Sequence, residues 1–240
     1  MISKARSGSN QLAAYLNQVP GCRCYGEIFK PNFPNTKGGW KGIAARFAST
    51  EEALALHRDD LCAFWDRLVA SHGETNRIVG ARIFYTDRRS SGIWENRVFH
   101  PDSLVIHLWR DSIFDSYVSL MRAKASDQWV VRKGEAVDAS QADELRFDVE
   151  AYLDYRQKAR RRFGATELML QGRDDSLSVE YAEIAQPNRL ALRLGAFLGK
   201  EVTLKSTLEK QTRRAPISYL DNPQDAAPFV DDRLSVPEDA

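Results

Sequence analysis

Residues 5–22 read ARSGSNQLAAYLNQVPGC, and this stretch decides the fold. A short strand over Met1–Ala5 is expected to run into Ser7-Gly8-Ser9-Asn10. Leu12, Tyr15, Leu16 and Val19 then recur at helical spacing, until Pro20-Gly21 stops the helix. Strand, small polar loop, helix is the local pattern of a phosphate-binding turn. The N–H groups and macrodipole at a helix start attract an oxyanion. Gly8 lets the backbone come close to it. Ser7, Ser9 and Asn10, with Gln11 behind them, add polar side chains, and Arg6 adds a planar charge. A full Walker A loop carries a lysine just before its Ser or Thr. This loop has none, and no strand candidate ends in a Walker-B-like aspartate. A phosphate ester that reacts without magnesium is therefore expected here, rather than a triphosphate to be hydrolysed.

Working outward, strands and helices alternate. Gly26–Gly42 reads as a Pro/Gly/Asn loop, and Ser49-Thr50-Glu51-Glu52 opens one long helix to about His72. Arg77–Tyr85 (RIVGARIFY) reads as a strand, 87–97 as a polar loop, and Ser103–Trp109 (SLVIHLW) as a strand buried on both faces. A helix is expected from Ser112 to Lys124, a charged one from Ala139 to Arg162, strands at Thr166–Gln171 and Leu177–Tyr181, and an amphipathic helix from Asn188 to Leu198 stopped by Gly199. From Tyr219 the chain is rich in Pro and Asp. This order predicts an α/β fold: a P-loop-like three-layer arrangement with a mostly parallel central sheet flanked by helices. One domain over 1–222 and an irregular tail over 223–240 are expected.

Composition narrows the function. The chain has 240 residues, 43% of them hydrophobic, and a net charge of +1, which gives no global reason to expect nucleic acid or an acidic membrane surface as a partner. The three cysteines, Cys22, Cys24 and Cys62, do not make a disulfide framework or a zinc set, so no metal is expected. No apolar run approaches the roughly 20 residues of a membrane span, and the first residues are polar. A soluble, cytoplasmic protein is the expectation, with a homodimer allowed.

In parallel sheets the ligand sits at the carboxyl ends of the strands. Two places fit: Arg6–Asn10, and Arg110 at the end of the 103–109 strand with Ser119 nine residues on. An arginine at a strand end and a serine on the next helix can hold one phosphate between them. The ordered set R-S-G-S-N (6–10), G-E-I-F (26–29), Arg110, V-S-L (118–120), Gln128-Trp129, V-E-Y-A-E-I (179–184) and L-E-K-Q (208–211) with Asn222 resembles the bacterial carbohydrate sulfotransferases, in the trehalose, nodulation-factor and lipopolysaccharide branch. It covers most of residues 1–222. The chain departs from the pattern at Arg110-Asp111-Ser112 and at Ala182.

The resemblance implies an enzyme that moves a sulfuryl group from 3′-phosphoadenosine 5′-phosphosulfate (PAPS) to a hydroxyl of a sugar, glycolipid or similar acceptor, leaving 3′-phosphoadenosine 5′-phosphate (PAP). It implies a 5′-phosphosulfate loop at Arg6, Ser7, Gly8, Ser9, Asn10 and Gln11, a 3′-phosphate site at Arg110 and Ser119, and a closing segment at Lys210-Gln211. Such a transfer spreads charge over oxygens, so the protein chiefly positions groups and stabilises charge, with Arg6 contributing. By the same resemblance Glu27 is the base; His100 and His107 are the alternatives, His107 reading more simply as a core histidine. Trp40, Trp94 and Trp129 could stack on a sugar or adenine ring, though packing explains each. The basic run 156–162 reads as a solvated helix face, with attraction of an anionic substrate as its second reading. The rival functions are a P-loop kinase-like phosphotransferase and a non-catalytic nucleotide-binding protein on the same fold.

Overall fold

The computed structural model describes residues 1–35, 39–73, 78–87, 91–129, 144–206 and 214–235. The central sheet is wholly parallel, in the order β4-β1-β5-β6: β1 is Ile2–Ser3, β4 Ile83–Phe84, β5 Val105–Trp109 and β6 Ser176–Glu180. β1 is only two residues long, yet it is paired on both sides, Ile2 with Ile83 and with His107. That central position explains why so short a strand suffices to anchor the loop that follows. A second parallel pair, β2 (Cys22–Cys24) with β3 (Ile78–Gly80), was not foreseen at Cys22–Cys24. Cys22 and Cys24 point inward there as free thiols, Cys22 pushed up to about 11 mainly by burial.

Helices cover both faces, as the alternating pattern predicts. Val105 packs into a cluster with α3 (Thr50–Asp59) and α4 (Leu61–Ala70), built around Phe64, Leu68, Trp40 and Trp94. Ile106 and Leu108, on the other face of the same strand, meet α1 (Ser9–Leu16) and α8 (Pro187–Leu198). A third cluster joins α5 (Ile113–Ser126) and α6 (Val149–Leu170) to Tyr219, Leu220 and Ala226.

Four expectations change. The long helix 49–72 is two helices: Asp60 breaks the chain (φ −142°, ψ 85°) and caps α4 by accepting from the Ala63 N–H at 2.9 Å. Asp59-Asp60 disfavours a helix C-terminus and favours an N-terminus, so the break falls where the dipole asks for it. RIVGARIFY is not one strand; its described part splits at Gly80-Ala81-Arg82 between the two sheets. Thr166–Gln171 is not a strand, because α6 continues to Leu170. Tyr152, Ala159, Thr166 and Leu170 are its buried positions, a helical stripe that outweighs the β-like run TELML. The tail is not irregular throughout: α9 (Pro223–Ala226) and the 3-10 turns Pro216–Tyr219 and Ala227–Phe229 fold it against α5 and α6. The loops at 26–42 and 87–97 also contain a 3-10 turn at Phe33–Asn35, the start of a short helix Gly39–Ala44, and a π-helical turn at Trp94–Val98. Residues 139–143, and Lys210 and Gln211, lie outside the described residues.

Candidate functional site

The loop after β1 is held in an unusual backbone shape. Arg6 has φ +68° and Gly8 φ +84°. A left-handed arginine costs on the order of 1–3 kcal/mol, a strain that persists where surroundings enforce it. At Gly8 no other residue fits: an added Cβ would stand 2.6 Å from Ile184 Cδ1 and 2.9 Å from Tyr181 Cδ2. Those two side chains belong to α7 (Tyr181–Ile184), the V-E-Y-A-E-I segment. The first bond of α1 runs from the Leu12 N–H to the Gly8 carbonyl, so the Ser9, Asn10 and Gln11 N–H groups have no acceptor within the helix.

The loop side chains are largely committed within the protein. The Ser7 hydroxyl donates to the Lys4 carbonyl at 2.7 Å, and Gln11 Oε1 accepts from Ser206 Oγ at 3.4 Å. Ser9 Oγ and Asn10 Oδ1 each accept from Nη1 of Arg82, at 2.9 and 2.5 Å. The loop therefore offers an anion mainly its backbone N–H groups and Arg6.

Arg6, Arg110 and Ser119, distant in sequence, come together at the carboxyl ends of β1 and β5. Arg6 Nε donates to Ser119 Oγ at 3.0 Å, and Arg6 Nη1 donates to the Trp129 carbonyl at 2.8 Å. Arg110 approaches the Arg6 carbonyl at 3.5 Å, pairs with Asp115 at 3.1 Å, and lies 4.5 Å from the centre of the Tyr181 ring. Burial, reinforced by the Arg110 charge, pulls the Arg6 guanidinium down from its usual range. Clustered cations under partial burial are what a polyanion would relieve.

Glu27 sits on the other side of the loop. Its Oε1 accepts from Nη2 of Arg82 at 2.5 Å, and its Oε2 pairs with Lys30. Arg82 is 6% exposed, so a single buried guanidinium ties Ser9 and Asn10 of the loop to Glu27. Burial pulls Arg82 down and the Glu27 charge opposes this. Asp87 stands near the same group, its carboxyl raised chiefly by burial.

The other base candidates separate. His107 is fully buried between Tyr85 (2.6 Å) and Glu167 (2.5 Å), with burial the main cause of its lowered value; it is a core histidine. His100 precedes β5, at the amino ends of the strands, away from Arg6 and Arg110. Trp94 and Trp40 are core residues, whereas Trp129 is 44% exposed beside Arg6. The basic run sits mid-helix and not at its end. Arg156 pairs with Asp232, Lys158 with Asp154, and Arg160 donates to the Arg233 carbonyl.

Two residues beside the candidate site escaped the sequence reading: Arg82 and Lys30. Arg82 did leave a signal, a charge in the middle of the apolar run RIVGARIFY. Among the described residues, no group of three His, Cys, Asp or Glu side chains is placed to hold a metal ion, and no helix is long and apolar enough to cross a membrane.

A strained loop at the end of a central parallel strand, with an arginine and a serine brought to it from the next strand and helix, has the geometry that an oxyanion-bearing substrate would fit. The family description "Sulfotransferase family" matches residues 1–203, and the chain belongs to that family. Its chemistry is sulfuryl transfer to a hydroxyl-bearing acceptor, a family activity for which PAPS is the general donor. No match was found among curated proteins.

Proposed function

We propose that this protein transfers the sulfuryl group of PAPS to a hydroxyl of a carbohydrate or glycolipid, with Glu27 as the base. The observation that carries the donor assignment is the convergence of Arg6, Arg110 and Ser119, with Arg6 Nε 3.0 Å from Ser119 Oγ. PAPS supplies an activated sulfuryl group whose transfer leaves PAP. The protein's part is then electrostatic: the α1 N–H groups and Arg6 face the 5′-phosphosulfate, and Arg110 and Ser119 face the 3′-phosphate. In this reading the ligand replaces Asp115 as the partner of Arg110. The exposed Trp129, whose carbonyl accepts from Arg6, offers a ring suited to stack on the adenine.

For the base, both Glu27 oxygens are occupied. Arg82 is buried and fixed, whereas the Lys30 side chain is 35% exposed. The acceptor hydroxyl therefore displaces Lys30 and takes Oε2, while Arg82 holds the carboxylate in register with the loop. The test of the donor reading is thermal unfolding with and without PAP. A ligand that binds only the native state raises the midpoint. A shift with ATP and none with PAP would reject the donor assignment.

A further inference from the structure

An acceptor that takes Oε2 of Glu27 has to move Lys30, and what surrounds that ammonium describes what can replace it. Lys30 lies one turn after Glu27, its N–H bonded to the Glu27 carbonyl at 3.1 Å, and its Nζ pairs with Glu27 Oε2. The same Nζ stands 4.7 Å from the centre of the Phe84 ring, at the carboxyl end of β4. The backbone of Phe84 is held in a tight turn. Its N–H donates to Asp87 Oδ2 at 3.0 Å, and its carbonyl accepts from the Asp87 N–H at 2.9 Å. The Asp87 carbonyl accepts from Trp94 Nε1 at 2.6 Å, which anchors the turn to the core. On the same ring, Arg82 Cζ lies 5.5 Å from the centre, and the Lys30 charge acts on Asp87 as well. Two carboxylates, one guanidinium and one aromatic face thus adjoin a single ammonium. A carboxylate beside a ring face is the chemistry that holds an ammonium. Charge balance points the same way. With Lys30 in place, Glu27 and Asp87 are offset by Arg82 and Lys30. A neutral acceptor that expels Lys30 leaves one negative charge uncompensated in half-buried surroundings, whereas an acceptor with its own ammonium restores the balance.

We propose that the acceptor carries a free ammonium group beside the hydroxyl that reacts, as a 2-amino sugar does, and that this ammonium takes the place of Lys30 between Glu27 and Phe84. The proposal rests on the reading of Glu27 as the base. Because one Nζ touches both Glu27 and the ring, the two acceptor groups have to sit on neighbouring carbons. The hydroxyl then donates to Glu27 Oε2, and the ammonium lies over the Phe84 ring. In the transfer the hydroxyl proton passes to Glu27. The hydroxyl oxygen bonds to sulfur as the bond from sulfur to the 5′-phosphate oxygen breaks, and PAP leaves. The amine stays protonated throughout and keeps its charge against the ring face. Lys30 is in this account an internal competitor. Tethered three residues from Glu27, it fills the subsite until a ligand with the same head group displaces it.

Titration of the full chain at pH 7, with PAP present, tests this. The probes are D-glucosamine, which is largely protonated at that pH, and D-glucose and N-acetyl-D-glucosamine, which carry no charge. Lys30→Ala vacates the subsite. It is expected to bind glucosamine on the order of tenfold tighter than wild type does, and at least about tenfold tighter than it binds either neutral sugar. Adding Phe84→Leu to that variant is expected to narrow the preference about two- to fivefold. Lys30→Gln, which keeps the length without the charge, gives the same comparison if Lys30→Ala does not fold. Glucosamine bound by the vacated variant no tighter than by wild type, or no tighter than the neutral sugars, overturns the ammonium subsite while Glu27 as base stands. Turnover retained by Glu27→Gln removes the base, and the acceptor assignment falls with it.

Discussion

Replacing Arg82 by Met isolates the connection on which the site geometry depends. The guanidinium is buried and donates to Ser9, Asn10 and Glu27. Removing one partner of a buried ion pair costs about 3–5 kcal/mol, because the other charge is left behind. Glu27 keeps Lys30 and its side chain is 23% exposed, so the lower end applies, about 3 kcal/mol. For a chain of this length that corresponds to a fall of about 6–12 °C in unfolding midpoint. The loss also frees Ser9 and Asn10, so PAP affinity is expected to fall on the order of tenfold. Thermal unfolding and PAP titration of R82M, R82K and the double variant R82M/E27Q measure this. R82K keeps the charge without the fork and should fall between wild type and R82M. The double variant should be less destabilised than the sum of its parts by about 1–3 kcal/mol. If R82M unfolds within about 2 °C of wild type and binds PAP normally, the account of Arg82 as the tie between loop and base is wrong.

Glu27→Gln should lower turnover by on the order of 10²–10⁴ while leaving PAP affinity within about twofold, read from steady-state rates and titration; retained turnover rejects Glu27 as the base. Gly8→Ala places a Cβ at 2.6 Å from Ile184 and forces alanine to φ +84°, so denaturant midpoints should report a loss of about 2–3 kcal/mol. Lys4 gives a signed pH effect. Its folded value, about 7, lies below the ordinary 10.5, so between those pH values the unfolded chain binds more protons and stability rises with pH. The difference in unfolding free energy between wild type and Lys4→Met should therefore shift in favour of wild type from pH 7 to 10, by up to about 1.4 kcal/mol per pH unit. A difference that stays flat over that range refutes the assigned environment of Lys4.

The sequence determined what depends on local spacing. The loop at 6–10, the helix after it, the buried strand ending at Arg110 and the helix capped by Ser112 follow from periodicity and caps. So do the helix 187–198 and its Gly199 stop at φ +61°. Gly8 and Glu27 could be singled out because a turn and a carboxylate announce themselves within a few residues.

Only the tertiary structure decided what depends on distant partners. β1 is a strand because two neighbours hydrogen-bond it, not because two residues have a preference of their own. TELML is helical because α6 presents Thr166 and Leu170 to a core formed by other elements, a context that the five residues do not contain. Arg82 tied to Ser9 and Glu27, and Arg6 tied to Ser119, are separated by 55 to 113 positions along the chain. Their pairing and their electrostatics arise when burial removes water from between them, and no local pattern encodes that.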